Sequence, residues 1–351
     1  MTGSQLEREI REQPEALERL LAGVHADVAP VAAALARRPP KYALIAARGT
    51  SDNAARYAQY LFGGRLGLPV ALAAPALTSV YVRESRLRIR DALAIGISQS
   101  GRSPDVVAVL GAARRQGSPT VAITNDPASP LAEAADFVIP LRAGEEHAVA
   151  ATKTYTATLA ALAALVTAIA ADGGARADAE RLRAMPAVMS EAVDLAFSDV
   201  PALDDHRSAC YLLSVGRGVN LATASELALK VRELCAVVAE GFSPADLLHG
   251  PIAATLPGTP ALITAFEGPA RESLQDVVTA LQTRGAEATI ITDRPHLIGN
   301  HPILRTPPGV PEWLTPLVAI VPGQVFALRQ ATLRGRDVDQ PVGLTKVTST
   351  F

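Results

Sequence analysis

Apolar and polar positions alternate in blocks along this chain. Short apolar runs near 42–47, 69–73, 91–98, 119–124 and 136–140 have strand length. Between them lie stretches with helical spacing near 52–63, 104–116, 128–134 and 152–172. Strand–helix alternation of this kind predicts an α/β fold, a parallel sheet flanked by helices in three layers, as in flavodoxin. Residues 4–38 read as one or two helices ahead of the first strand. The charged, Ala-rich stretch from Asp172 to Ala187 breaks the pattern and reads as a linker.

A second cycle begins at Tyr211 and repeats the first. Tyr-x-Leu-x-x-x-Arg-Gly occurs at Tyr42–Gly49 and again at Tyr211–Gly218, 169 residues on. Ala92-Leu93 and Ala261-Leu262 recur at the same offset, and Ile123-Thr124 and Ile291-Thr292 at 168. Three matched segments in the same order argue for a duplicated domain. The expected boundaries are N-terminal helices over 1–38, a first domain over 39–172, a linker over 173–200, a second domain over 201–335 and a tail over 336–351.

Composition narrows the class. Of 351 residues, 49% are hydrophobic and 19% charged, enough for two globular domains; only 4% are aromatic, so the core is built from Ala, Val, Leu and Ile. The 33 basic and 35 acidic residues leave a net charge of −2, which argues against nucleic acid or a membrane surface as partner. The charged N-terminus does not read as a signal peptide. The run Ala157–Ala171 is short for a membrane span and reads as a buried helix. Cys210 and Cys235 fit neither a redox pair nor metal-ligand spacing; small buried thiols in a reducing cytosol are expected.

The most informative loop is Ser98-Gln99-Ser100-Gly101-Arg102-Ser103-Pro104-Asp105. A strand runs into it, and Ser103 with Pro104 reads as the cap and first residue of a helix. Free backbone N–H groups and three hydroxyls then face one point, a cradle suited to a phosphate monoester. The loop Arg48-Gly49-Thr50-Ser51 also leaves a strand end and can add hydroxyls beside it. In the second copy Glu226, Lys230 and Glu233 are spaced to share one helix face. That spacing suits a solvated surface ion pair as well as a pocket wall with Glu233 as base. His249, before Gly250-Pro251, sits in a rigid turn and suits proton exchange near neutral pH. Lys346, in a polar tail without helical periodicity, could close over a pocket to pair with phosphate or attack a carbonyl.

Together these motifs, with Ala143-Gly-Glu145, Val149-Ala-Ala151-Thr152-Lys153 and the Asp337-Val-Asp339-Gln-Pro341 tail, resemble the two-domain sugar isomerase (SIS) proteins. The similarity is greatest to the isomerase half of glucosamine-6-phosphate synthase and to stand-alone SIS-type glucosamine-6-phosphate deaminases, and it covers about residues 40–351. The resemblance implies that Thr50, Ser51, Ser98, Gln99, Ser100 and Ser103 hold the sugar phosphate, with Val149 and Ala151 at the same pocket. It implies that Glu233 moves a proton between C1 and C2, beside Lys230. His249 would help open the sugar ring, often from the neighbouring subunit, and Lys346 would form a Schiff base with the ketose. No metal and no organic cofactor is implied. Two departures touch the pocket: Ala151 replaces a serine, and Ala245-Asp246-Leu247-Leu248 replaces Gly-Glu-Leu-Lys. These 351 residues hold no glutaminase domain, so the expected reaction is conversion of glucosamine 6-phosphate to fructose 6-phosphate and ammonia, in a cytoplasmic homodimer. Alternatives are a galactosamine-6-phosphate deaminase/isomerase, a sugar-phosphate deglycase and a non-catalytic sugar-phosphate sensor. A nicotinamide-dinucleotide enzyme is disfavoured, because Gly216-Arg-Gly218 is followed by Leu221 where the dinucleotide fingerprint needs its third glycine.

Overall fold

The computed structural model describes residues 3–82, 87–170 and 174–346. Two helices open the chain, α1 (Gln5–Arg11) and α2 (Gln13–Arg37). On α2 the buried residues Leu17, Leu20, Val24, Val28, Val31 and Leu35 recur every three or four positions, which makes one apolar stripe. By length and composition α2 could cross a bilayer, alone among the described helices. Its stripe instead packs on a helix of the first domain described next.

The front sheet contains β1 (Tyr42–Ala46), β2 (Val70–Leu72), β3 (Ala92–Ile97), β4 (Thr120–Thr124) and β5 (Phe137–Pro140). The interleaved helices are α3 (Thr50–Leu66), α4 (Ala76–Ser79), α5 (Pro104–Arg115) and α6 (Pro130–Glu133); α7 (Lys153–Ile169) follows and is the helix that α2 packs against. All strands are parallel, in the order β2-β1-β3-β4-β5. The chain moves outward from β1 to β2, then returns to β3 on the other side of β1. Such a reversal leaves a crevice beyond the carboxyl ends of β1 and β3, where open α/β sheets bind ligands. Ala46 pairs with Gly96, so the Arg48 and Ser98 loops leave neighbouring strand ends. As expected for the Ala-rich run, α7 is buried along nearly all its length, though it stops at Ile169.

The stretch read as a linker is mostly helix. Its residues form α8 (Ala175–Arg183) and α9 (Met185–Asp199), for which Ala, Arg, Glu and Met have good intrinsic propensity. Leu182 is buried, and Asp178 pairs with Arg65 of α3, which docks α8 on the front domain.

The back sheet repeats the plan. It holds β6 (Tyr211–Val215), β7 (Val238–Phe242), β8 (Pro260–Thr264), β9 (Glu287–Thr292) and β10 (Ile303–Arg305), with α10 (Leu221–Cys235), α11 (Pro244–Leu248), α12 (Arg271–Thr283) and α13 (Thr315–Leu333). The strands are again parallel, in the order β7-β6-β8-β9-β10, the front topology strand for strand. The repeated sequence pairs fall on equivalent strands, so the duplication read from sequence is a duplication of fold. Leu213, Val215, Ala261 and Ile263 of the sheet pack with Leu274, Val277, Val278 and Leu281 of α12. On the other face α10 lies close to the sheet. A Cβ on Gly216 would sit 2.1 Å from the Asn220 carbonyl oxygen, and one on Gly241 would sit 2.7 Å from the Ser225 Cα.

By contacts the described chain forms two units, and neither is continuous in sequence. One comprises residues 13–146, 153–186 and 345–346; the other comprises 3–12, 147–152 and 187–344. Cys235 is buried as expected, with its thiol 3.3 Å from the Ala327 carbonyl oxygen. Cys210 is exposed, contrary to expectation, because it precedes β6 in the turn that leads into the strand rather than lying within it.

Candidate active site

In the front unit the hydroxyl loops sit at the crevice between β1 and β3. Gly49 has φ 54°, a turn that starts α3 directly at Thr50. The Ser51 N–H donates to the Arg48 carbonyl, and both Thr50 and Ser51 are half-buried. Ser98 is buried, and its Oγ accepts the Gly101 N–H at 3.2 Å. The Ser98 and Ser103 hydroxyls are 3.4 Å apart, and Ser100 Oγ accepts the Arg102 N–H. The Gln99 carbonyl accepts the Asn125 N–H and the Thr124 hydroxyl, which tie the loop to the end of β4. Gly101 has φ 63°, and a Cβ there would fall 2.0 Å from Ser129 Oγ; no other residue fits this turn.

Ser103 occupies the N-cap position of α5, but its side chain makes no capping bond. Asp105 does the local work instead: Oδ1 accepts the Val106 N–H at 2.9 Å. Its Oδ2 takes Arg48 Nε at 2.7 Å and Nη2 at 2.6 Å. Asp105 is buried, so this charge-assisted contact ties the β1 loop to the first turn of α5. Sequence alone does not bring this pair to the site. Arg48 stood in plain view in the repeated Arg-Gly motif, but its partner lies 57 positions away.

In the back unit α10 carries a buried ionic triad. Lys230 Nζ is 3.3 Å from Glu226 Oε1 and 2.6 Å from Glu233 Oε2. The side chains of Glu226 and Lys230 are 0% and 1% exposed, which overturns the solvated-face reading; Glu233 is 24% exposed and is the member that reaches solvent. Burial opposes the charge on Lys230, but Glu226 and Glu233 outweigh it and hold its pKa above the ordinary lysine value. Glu226 was visible in the same motif; its burial was not, because three charges on one helix face usually signal water.

His249 ends α11 and is exposed, with Nδ1 2.8 Å from the Ala245 carbonyl oxygen. A carbonyl only accepts, so Nδ1 carries the proton and Nε2 is the open acceptor of the neutral ring. Among the described residues no hydrogen bond or ion pair joins His249 to Glu233. Val149 and Ala151 are half-buried, and the Val149 N–H donates to the Asp339 carbonyl. Lys346 belongs with the front unit, where its Nζ is 2.8 Å from Glu146 Oε2. Glu146 also accepts the Thr154 N–H at 3.1 Å and the Thr154 hydroxyl at 2.7 Å. The tail lysine is therefore anchored by a fully buried carboxylate, a partner 200 positions away that sequence alone does not reveal.

The SIS domain matches residues 38–168 and 208–334, one copy on each sheet. The chain belongs to the SIS domain family. The glutamine–fructose-6-phosphate aminotransferase (isomerizing) of Zymomonas mobilis is 33% identical over 97% of this chain, which spans 58% of that relative's length. A candidate phosphosugar isomerase of Silicibacter pomeroyi has a crystal structure that is 36% identical, with a TM-score of 0.85 over 96% of this chain and 99% of its own. The C-terminal domain of a glucosamine-fructose-6-phosphate aminotransferase from Francisella tularensis is 26% identical, with a TM-score of 0.88 over 96% of this chain and 98% of its own. The tandem SIS architecture expected from the motifs is thus the architecture of the chain.

Proposed function

We propose that this SIS protein is a phosphosugar isomerase and, more narrowly, an amino-sugar phosphate deaminase/isomerase acting on glucosamine 6-phosphate. The observation that carries the reading is the α10 triad. A buried cation beside a partly exposed carboxylate is costly in stability and useful for abstracting a proton next to a carbonyl. Hydroxyls of Thr50, Ser51, Ser98, Ser100 and Ser103, with Gln99, take the phosphoryl group. His249 exchanges the proton that opens the ring. Glu233 removes the C2 hydrogen of the open-chain aldehyde and returns a proton to C1, while Lys230 steadies the developing negative charge. The product is the 2-imine of fructose 6-phosphate. Lys346 adds to C2 and expels ammonia, and water releases fructose 6-phosphate and restores the lysine amine. Water enters and ammonia leaves, one for one. The reverse direction makes glucosamine 6-phosphate from fructose 6-phosphate and ammonia, in keeping with the aminotransferase names of the relatives. A homodimer in the cytoplasm, with neither nucleic acid nor membrane as partner, remains part of this reading.

The test is to incubate the purified chain with glucosamine 6-phosphate, galactosamine 6-phosphate and a fructosyl-amino-acid 6-phosphate, and to measure ammonia, free amino acid and the ketose or aldose phosphate formed. Equal amounts of ammonia and fructose 6-phosphate from the first are expected. Release from the second or third alone selects the corresponding alternative. Interconversion of glucose and fructose 6-phosphates without ammonia leaves an isomerase only, and tight binding without turnover makes the chain a sensor.

A further inference from the structure

The N-terminal helix α1 lies outside both SIS matches, yet it carries a fully buried carboxylate that the reaction does not use. Glu9 is 0% exposed. Its Oε1 accepts the His147 N–H at 2.5 Å and Gln5 Nε2 at 2.9 Å, and its Oε2 accepts the Ala148 N–H at 3.2 Å. Glu9 thus satisfies the amides that lead into Val149 and Ala151. At its other end the same helix is gripped by Asp339 of the tail. Asp339 Oδ2 accepts the Gln5 N–H at 2.9 Å and Oδ1 accepts the Leu6 N–H at 2.8 Å. The backbone carbonyl of Asp339 then accepts the Val149 N–H at 3.3 Å. The circuit closes: helix to segment 147–152, segment to tail, tail to helix. Asp339 is itself fixed by a turn, in which its N–H donates to Asp337 Oδ1.

We propose that α1 is a working part of the active site, in which Glu9 and Asp339 together clamp the segment bearing Val149 and Ala151. Both are positioning residues: they hold backbone that lines the sugar site and touch no reacting atom. The inference rests on the phosphosugar reading above for its catalytic consequence, but the clamp is a claim about cooperativity within one unit. Buried carboxylates that accept several N–H groups are high-stakes contacts, because loss of one acceptor leaves a donor unpaired. A break at the tail end should therefore loosen the amides held at the Glu9 end.

Asp339→Asn and Glu9→Gln in the full chain test this, with hydrogen exchange on the free protein and steady-state kinetics on glucosamine 6-phosphate. Asn keeps the shape of half-buried Asp339 and one of its two acceptors, so this variant folds even if the Glu9 change does not. The expected result for Asp339→Asn is at least tenfold faster exchange at His147 and Ala148, which Asp339 does not touch. Turnover should fall about tenfold or more, with KM within about threefold of wild type. Unchanged exchange at 147 and 148, or a change in KM without a change in kcat, overturns the clamp. If wild type turns nothing over, the phosphosugar reading fails separately, and the exchange result alone decides the clamp.

Discussion

The two SIS copies share a strand order but bury opposite chemistry on the helix that follows the first strand. In the front copy the positions 169 residues before Glu226 and Lys230 are Tyr57 and Leu61, 0% and 1% exposed, and the position matching Glu233 is Gly64. The front helix α3 shows that this surface of the fold can be filled by apolar and aromatic side chains. The back helix α10 fills it with three charges. Burying an ion pair gains little over well-packed apolar residues, and often loses. The charges on α10 are thus better explained by chemistry than by folding. The cradles divide in the opposite sense. The front β3 loop offers Ser98, Ser100 and Ser103, while the back β8 is followed by Ala265-Phe266-Glu267, with no hydroxyl and a carboxylate that would repel phosphate. On the proposed reading, one copy holds the anion and the other moves the proton.

The sharpest way to break this division is Glu233→Gln. Turnover should fall by about 10²–10⁴, the range of a general base, while equilibrium binding of fructose 6-phosphate stays within a few-fold. Loss of binding instead would assign α10 to substrate capture. Next in size is stability. Lys230→Met leaves Glu226 buried without its cation and should cost about 3–5 kcal/mol in urea unfolding. Adding Glu226→Leu makes the back helix resemble the front one; it should restore most of the loss without restoring turnover. If the double variant is no more stable than the single, the front helix is a poor guide to what this surface tolerates.

The same pair predicts a pH effect. The folded pKa of Lys230 lies above its unfolded value, so its contribution is complete below about pH 10 and is lost as pH rises through the folded value. The gap in urea midpoint between wild type and the double variant should move little from pH 8 to 10, then shift against wild type above that. A shift beginning near neutral pH would contradict the raised value. Smaller still is Ser100→Ala, for which KM should rise about tenfold with kcat nearly intact, as for one hydrogen bond to a charged group. The smallest effect is expected from Arg48→Lys. It keeps the charge beside Asp105 but loses the two-nitrogen contact, and should raise KM about threefold because Arg48 is half exposed.

Local chemistry was legible in the sequence wherever the responsible residues are neighbours. Ser98–Ser103 declared a hydroxyl-rich loop at a helix start, the Tyr-x-Leu-x-x-x-Arg-Gly repeat declared two like domains, and Glu226, Lys230 and Glu233 declared one helix face. Partners set by topology were not legible. Arg48 meets Asp105, Glu146 meets Lys346, and Glu9 meets His147 only once strands and helices have been placed. Burial overturned the solvated-face reading, since Glu226 and Lys230 are enclosed and only Glu233 reaches solvent. Ser103 shows a finer limit: its cap position was legible, but its hydroxyl turns to Ser98 and leaves the capping work to Asp105.

The discontinuous partition of the chain has a consequence for synthesis. Lys346 completes the front unit from nearly the far end of the sequence, where it meets a glutamate made 200 residues earlier. During translation the front sheet can assemble while that carboxylate waits for its lysine, and the partnership forms only once residue 346 has cleared the ribosome. Nascent chains arrested before residue 346 would therefore hold a folded but unfinished amine site.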